Sequence, residues 1–241
     1  MTADRRNFPQ FFITAPAPCP YLPGRLERKV FTHLIGPEAR ALNSQLSQGG
    51  FRRSQNIAYR PACDGCTSCV SVRVRAQHFR PTPSQRRIVK RNGDLHAAFA
   101  GGRATNEQYS LFRTYIEERH GEGGMADMSI LDFGAMVSDG FTDSRLVEYR
   151  LAGEGKPLIA AVLSDVLDDG ISLIYSFYDP NYDWRSLGSF MILDHIARAR
   201  RAGLPYVYLG YWVKSSRKMS YKANFAPQER LTADGWVLAA E

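Results

Sequence analysis

The sequence predicts an α+β protein: a basic N-terminal α+β domain packed on a second domain built around a mixed sheet. Three observations predict it. From Leu146 to Leu209 strand patterns follow one another through tight turns, and one helix joins the last two. Residues 51–75 hold two further strands around a cysteine-rich turn. The charge is divided: residues 1–100 carry 16 Lys and Arg against 5 Asp and Glu, a balance of +11, and the rest carries 15 against 19, a balance of −4. Ala100-Gly101-Gly102 lies where the balance changes and reads as a linker, giving domains 1–102 and 103–241.

Residues 1–24 are irregular, because Pro9, Pro16, Pro18, Pro20 and Pro23 forbid a helix and interrupt any ladder. Arg28 to Thr32 reads as a strand. Pro37 to Gln48 reads as a helix, with Pro37 in its first turn and Gly49-Gly50 at its end. Ile57 and Tyr59 belong to a strand. Val70, Val72 and Val74 alternate with Ser71, Arg73 and Arg75, so one strand face is expected to be buried and the other to present Arg73 and Arg75. Pro83-Ser84 opens a basic helix with Ser84 as its cap. In it Arg86 and Lys90, and Arg87 and Arg91, stand four apart; like charges at that spacing repel, and a polyanion would relieve them.

Thr105 to Gln108 fits a capping box, and Leu111, Phe112, Tyr115 and Ile116 form the buried stripe of the helix that follows. Glu122 to Met125 reads as a flexible loop. Leu146 to Leu151, Leu158 to Leu167 and Ile171 to Tyr178 read as three strands joined by Gly/Asp turns. A helix after Arg185 carries Ile192, Leu193, Ile196 and Ala197 on one face. Gly203 and Pro205 end it, and the strand Tyr206 to Leu209 should run parallel to the one before the helix.

The 44% apolar content is that of a globular protein, and the longest apolar run, 158–167, is far short of a membrane span. Nothing at the N-terminus reads as a signal peptide, so a cytoplasmic protein with no membrane partner is expected. Its four cysteines are then thiols or metal ligands rather than disulfides. Cys63, Cys66 and Cys69 form a C-x₂-C-x₂-C turn with Cys19 as a fourth donor, a set that suits zinc or an iron–sulfur cluster in a structural or redox role. The N-terminal charge is nearly all arginine, which binds phosphate bidentately and stacks on bases; a nucleic acid partner is expected. Lys214, Lys218 and Lys222, interleaved with Trp212, Tyr221 and Phe225, point the same way.

The strand–helix–strand order, with Arg185-Ser186-Leu187-Gly188-Ser189 at the helix start and Tyr221-Lys222-Ala223-Asn224-Phe225 after the last strand, resembles the GCN5-related acyltransferase core. That resemblance implies splayed parallel strands that receive an acyl carbonyl. Phe190 stands where a Gly or Ala would let coenzyme A phosphates approach, which argues against a coenzyme A-dependent N-acetyltransferase, the alternative reading. Several ordered segments resemble a more specific family: Cys19-Pro20-Tyr21-Leu22-Pro23-Gly24-Arg25, Gly50-Phe51-Arg52-Arg53-Ser54, Tyr59-Arg60-Pro61, Ser84-Gln85-Arg86-Arg87, Tyr175 to Pro180, Arg185 to Gly188, Tyr208 to Val213 and Lys218 to Lys222. They resemble the arginyl/leucyl-tRNA–protein transferases, in their bacterial aspartate/glutamate leucyltransferase branch. The resemblance implies transfer of leucine, or alternatively arginine, from aminoacyl-tRNA to the α-amine of proteins with N-terminal Asp or Glu, marking them for N-degron proteolysis.

Ester aminolysis of that kind needs positioning, an oxyanion site and modest base assistance, and no cofactor. The acidic acceptor needs a cation, best a bidentate Arg; Arg52, Arg53, Arg60, Arg73 and Arg75 are the candidates, and the sequence does not choose among them. Arg185, Gly188 and Trp212 are further substrate-binding candidates. Arg86, Arg87, Lys90, Arg91, Lys214, Lys218 and Lys222 are the candidates for tRNA phosphates. Tyr178 and Asp179, at the end of a central strand, are the candidate proton relay and ammonium anchor, although Asp-Pro is also ordinary turn chemistry.

Overall fold

The computed structural model describes residues 9–120, 125–138 and 142–239, so the expected loop over Glu122 to Gly124 lies outside the described residues. In chain order the strands are β1 (Phe12–Ile13), β2 (Ala17–Pro18), β3 (Leu26–Glu27), β4 (Lys29–His33), β5 (Arg52–Ser54), β6 (Ile57–Pro61), β7 (Val70–Arg75), β8 (Leu95–Phe99), β9 (Ser144–Leu151), β10 (Leu158–Val166), β11 (Gly170–Tyr178), β12 (Tyr206–Trp212), β13 (Gln228–Thr232) and β14 (Gly235–Leu238). The helices are α1 (Ala39–Gln48), α2 (Pro83–Arg91), α3 (Asn106–His120), α4 (Ile130–Val137) and α5 (Leu187–Arg201).

An eight-stranded mixed sheet in the order β14-β13-β7-β12-β11-β10-β9-β8 carries the fold. β9, β10 and β11 form the expected antiparallel meander, and β12 lies parallel to β11 across α5. That order and those directions are what the GCN5-related resemblance implies. β7 and β8 come from before residue 102, so the sheet takes strands from both sides of that boundary. A smaller sheet, β1-β4-β6-β5, packs beside it with α1.

β10 is buried along nearly its whole length, which is why its sequence is a continuous apolar run rather than an alternating one. α5 covers one face of the sheet through Ile192, Leu193, Ile196 and Ala199, packed on Val72, Val74, Val207 and Leu209. The stripe ends on Ala199 rather than the expected Ala197. α3 and α4 cover the other face, where Phe112, Ile116 and Phe133 meet Leu163 and Phe177. α3 starts as expected: the Thr105 N–H donates to Gln108 Oε1 at 2.9 Å and the Gln108 N–H to Thr105 Oγ1 at 3.2 Å. α2 is capped by Thr82 rather than Ser84, in a reciprocal pair with Gln85. Among the described residues no helix is long and apolar enough to cross a membrane.

Candidate active site

β11 and β12 pair over only three residue pairs, Gly170 with Tyr206, Ile171 with Val207 and Ser172 with Tyr208. Beyond them the strands part, and a cleft of about 1430 Å³ opens between them. That exceeds the roughly 300–1,000 Å³ of an ordinary small-molecule pocket and suits two substrates meeting in one place. Its walls include Tyr175, Ser176 and Tyr178 of β11, Tyr115 and Arg119 of α3, and Ser186, Gly188 and Ser189 at the start of α5.

Arg52, from β5 of the smaller sheet, lies in the splay. Its Nη2 donates to Leu173 O at 3.1 Å and to Ile174 O at 2.9 Å. A register shift between Tyr208 and Gly210 bends β12 here. Gly210 has φ +74°, and a Cβ on it would stand 2.0 Å from Arg52 Nη1. The guanidinium therefore lies flat against bare backbone on one side and bonds β11 carbonyls on the other. Beside it Lys222 Nζ donates to Tyr211 O at 2.7 Å. Burial and the neighbouring Arg52 charge push the Lys222 amine well below the usual lysine range. Among the described residues neither Arg52 nor Lys222 forms an ion pair with a carboxylate, so no acid offsets the Arg52 charge at the floor of the cleft.

Across the cleft Tyr178 packs against Tyr115 with the rings tilted by 55° and their centroids 5.0 Å apart. Burial raises the Tyr178 phenol, against the pull of Arg119, whose guanidinium lies 5.9 Å from its ring and pairs with Asp183 at 2.5 Å. Asp179 is turned to local work: its carboxylate accepts from the Asn181 N–H and from Asn181 Nδ2, both at 2.9 Å, so it organises the turn after β11.

The other arginine candidates for the acceptor lie elsewhere. Arg53 is buried and bonds Asp165 through Nε at 2.7 Å and Nη2 at 2.9 Å. Arg73 is only 8% exposed, correcting the expectation of a free polar strand face. It bonds Glu229 at 2.8 Å and the Tyr208 hydroxyl at 2.9 Å and stacks on Tyr206 and Trp236. The second face of β7 is occupied by same-face side chains of its sheet neighbours: Tyr206 and Tyr208 of β12, and Glu229 and Trp236 of the β13–β14 hairpin, which extends the sheet beyond β7 and has no counterpart among the expected strands. Arg75 reaches the same Glu229 at 3.6 Å, and Arg60 stacks over Phe51 outside the cleft. Arg185 is spent on a two-pronged pair with Asp94, at 2.7 and 2.9 Å. Trp212 packs on the core under Arg230 rather than in the cleft. Phe190 also turns inward, against Tyr149, so it is Arg52 and not Phe190 that fills the groove between the strands.

Of the tRNA candidates, Arg86, Arg87, Lys90 and Arg91 are exposed along α2, and Lys214 and Lys218 are exposed after β12. Lys222 is not on that surface; it is buried in the cleft wall. Sequence reading missed Tyr115 and Arg119, whose four-residue spacing on a helix beside two strand ends was the available signal, and Trp184, which is 60% exposed beside Arg91.

Cys19, Cys63, Cys66 and Cys69 line one small cavity of about 50 Å³, next to Tyr21 and Tyr59 of the cleft wall. Burial and the other three thiols raise Cys69 to about 11, whereas hydrogen bonding to Ser68 and the charge of Arg25 lower half-buried Cys66. The donor set has the softness zinc or an iron–sulfur cluster wants. Among the described residues no group of three or more His, Cys, Asp or Glu is arranged to hold a metal ion.

Residues 17–87 match the family model for the arginine-tRNA-protein transferase N terminus, and residues 107–232 match that for its C terminus. The aspartate/glutamate leucyltransferase of Rhodopseudomonas palustris (strain TIE-1) is 58% identical over 98% of this chain and 95% of its own length. That of Bradyrhizobium diazoefficiens is 57% identical over the same shares. Among solved structures, L-PGS from Bacillus licheniformis superposes with a TM-score of 0.50 at 11% identity, covering 79% of this chain and 55% of that one, a likeness of fold alone. With both family models matched in order and the relatives aligned nearly end to end, the chain belongs to the arginine-tRNA-protein transferase family.

Proposed function

We propose that the protein moves leucine from charged tRNA to the α-amine of proteins beginning with Asp or Glu, and that Arg52 reads the acidic side chain. The observation that carries this is a guanidinium held in the splay of β11 and β12 with no carboxylate partner among the described residues. A carboxylate arriving there completes a charge-assisted pair in a partly desolvated site, where such a pair is worth most. It also leaves the acceptor amine facing the cleft, where the tRNA ester carbonyl would meet it. Ser176 and the start of α5 line the same cleft and are the donors assigned here to the oxyanion that forms. The exposed side chains of α2 supply the tRNA surface: Arg86, Arg87 and Lys90 on phosphates, with exposed Trp184 as a stacking platform for the unpaired 3′ bases in place of Trp212. Charged tRNA as donor makes the cytoplasm the place of action.

Coenzyme A-dependent acetylation is the weaker reading, since the groove a pantetheine arm would thread is filled by Arg52. The test is transfer of labelled leucine or arginine from charged tRNA to peptides beginning with Glu or Gln. Label from leucine should reach the Glu peptide and not the Gln peptide. Failure of any label to reach the Glu peptide refutes transfer; arginine without leucine refutes only the donor.

A further inference from the structure

We propose that Lys222 is the general base of the transfer, accepting a proton from the acceptor's α-ammonium group. This rests on the transfer reading above. Lys222 is 6% exposed, yet it lines the cleft. Its Nζ makes one hydrogen bond, to Tyr211 O, and has no ion-pair partner among the described residues. A buried ammonium with one carbonyl acceptor and an adjacent guanidinium is strongly disfavoured; a neutral amine fits, and it keeps a lone pair for a proton. Of the ionisable groups around the cleft, Arg52 is the one whose charge bears on this amine. Arg119 is paired with Asp183, and Glu118 and Lys218 are exposed at the rim.

The placement ties the base to the acceptor's chemistry. Arg52 lies against Gly210 and Lys222 bonds the next carbonyl, so both side chains share one spot on β12. A carboxylate on Arg52 holds its own α-ammonium a few bonds away. It also offsets the guanidinium charge, which raises the proton affinity of Lys222 as the proton must move. Nζ takes one proton, and the freed amine attacks the ester carbonyl to form the C–N bond. As the C–O bond to ribose breaks, the second proton of the adduct nitrogen passes to the ribose oxygen. Nζ then yields its proton to water. One amide replaces one ester and one proton is released.

The experiment compares wild type with Lys222→Arg, Lys222→Met and Lys222→Ala, using leucyl-tRNA and a Glu peptide, with each fold checked by circular dichroism. Arg keeps a charged donor but does not deprotonate. Both Arg and Met variants should lose about 10²–10⁴-fold in kcat, the usual span of general-base assistance, with KM changed far less. Added primary amines should partly restore Lys222→Ala, faster with more basic amines. A natively folded Arg or Met variant within about threefold of wild-type kcat overturns the proposal, well under the span such assistance supplies. So does a natively folded Ala variant that no amine restores. If wild type itself moves no leucine, the transfer reading fails, a result distinct from either.

Discussion

Gly210→Ala is the sharpest probe of the site, because one methyl group there meets Arg52. The new Cβ would lie 2.0 Å from Nη1, 2.3 Å from Cζ and 2.6 Å from Nε. The backbone cannot yield cheaply, since Tyr208 to Trp212 is laddered to β7. Arg52 must withdraw and surrender its bonds to Leu173 O and Ile174 O. Holding alanine at φ +74° adds about 1–2 kcal/mol. The two bonds share one donor nitrogen and count together as one charge-assisted bond of about 1.5–3 kcal/mol, so the substitution should cost roughly 3–5 kcal/mol in all. For a chain this long that lowers Tm by about 6–20 °C. In an Arg52→Ala background the collision is gone and only the backbone strain of about 1–2 kcal/mol remains. A double-mutant cycle read by thermal unfolding isolates the difference. Transfer to a Glu peptide should fall alike in Gly210→Ala and Arg52→Ala. Equal costs of Gly210→Ala in both backgrounds would refute the reasoning, as would a Gly210→Ala enzyme that still prefers Glu over Gln as wild type does.

Arg53→Met should behave oppositely, costing about 3–5 kcal/mol by stranding the buried Asp165 carboxylate while leaving the Glu-over-Gln preference of the folded enzyme unchanged. The hydrogen bonds from Arg185 hold the Asp94 carboxyl below the usual carboxylate range, so its contribution is present above about pH 4 and is lost as pH falls through the folded-state value. Urea midpoints between pH 6 and 3 should therefore fall less steeply for Asp94→Asn than for wild type. Iodoacetamide at neutral pH should label Cys66 well before Cys69, read by peptide mass spectrometry, because Ser68 and Arg25 favour the Cys66 thiolate and burial suppresses that of Cys69.

Local chemistry in the sequence determined much of this protein. The β9–β10–β11 meander, the α5 crossover and the parallel β12 follow from apolar patterning and from Gly/Pro turns, which act over a few residues and are legible in order. The Thr105 capping box is local too. The family resemblance was carried by short segments such as Gly50 to Ser54 and Lys218 to Lys222. What each arginine does was not legible. Arg52 and Arg53 are neighbours in sequence, and strand alternation sends one into the splay of β11 and β12 and the other onto Asp165, more than a hundred residues away. The sequence around Arg73 shows no partner because the β13–β14 hairpin that pairs with its strand and supplies Glu229 lies over 150 residues downstream. Lys222 sits among exposed cations in the chain and is buried only because the turn after β12 folds it back onto Tyr211. A side chain's charge is written in the sequence; whether it meets a carboxylate, a carbonyl or a substrate depends on long-range packing, and only the tertiary structure decides that.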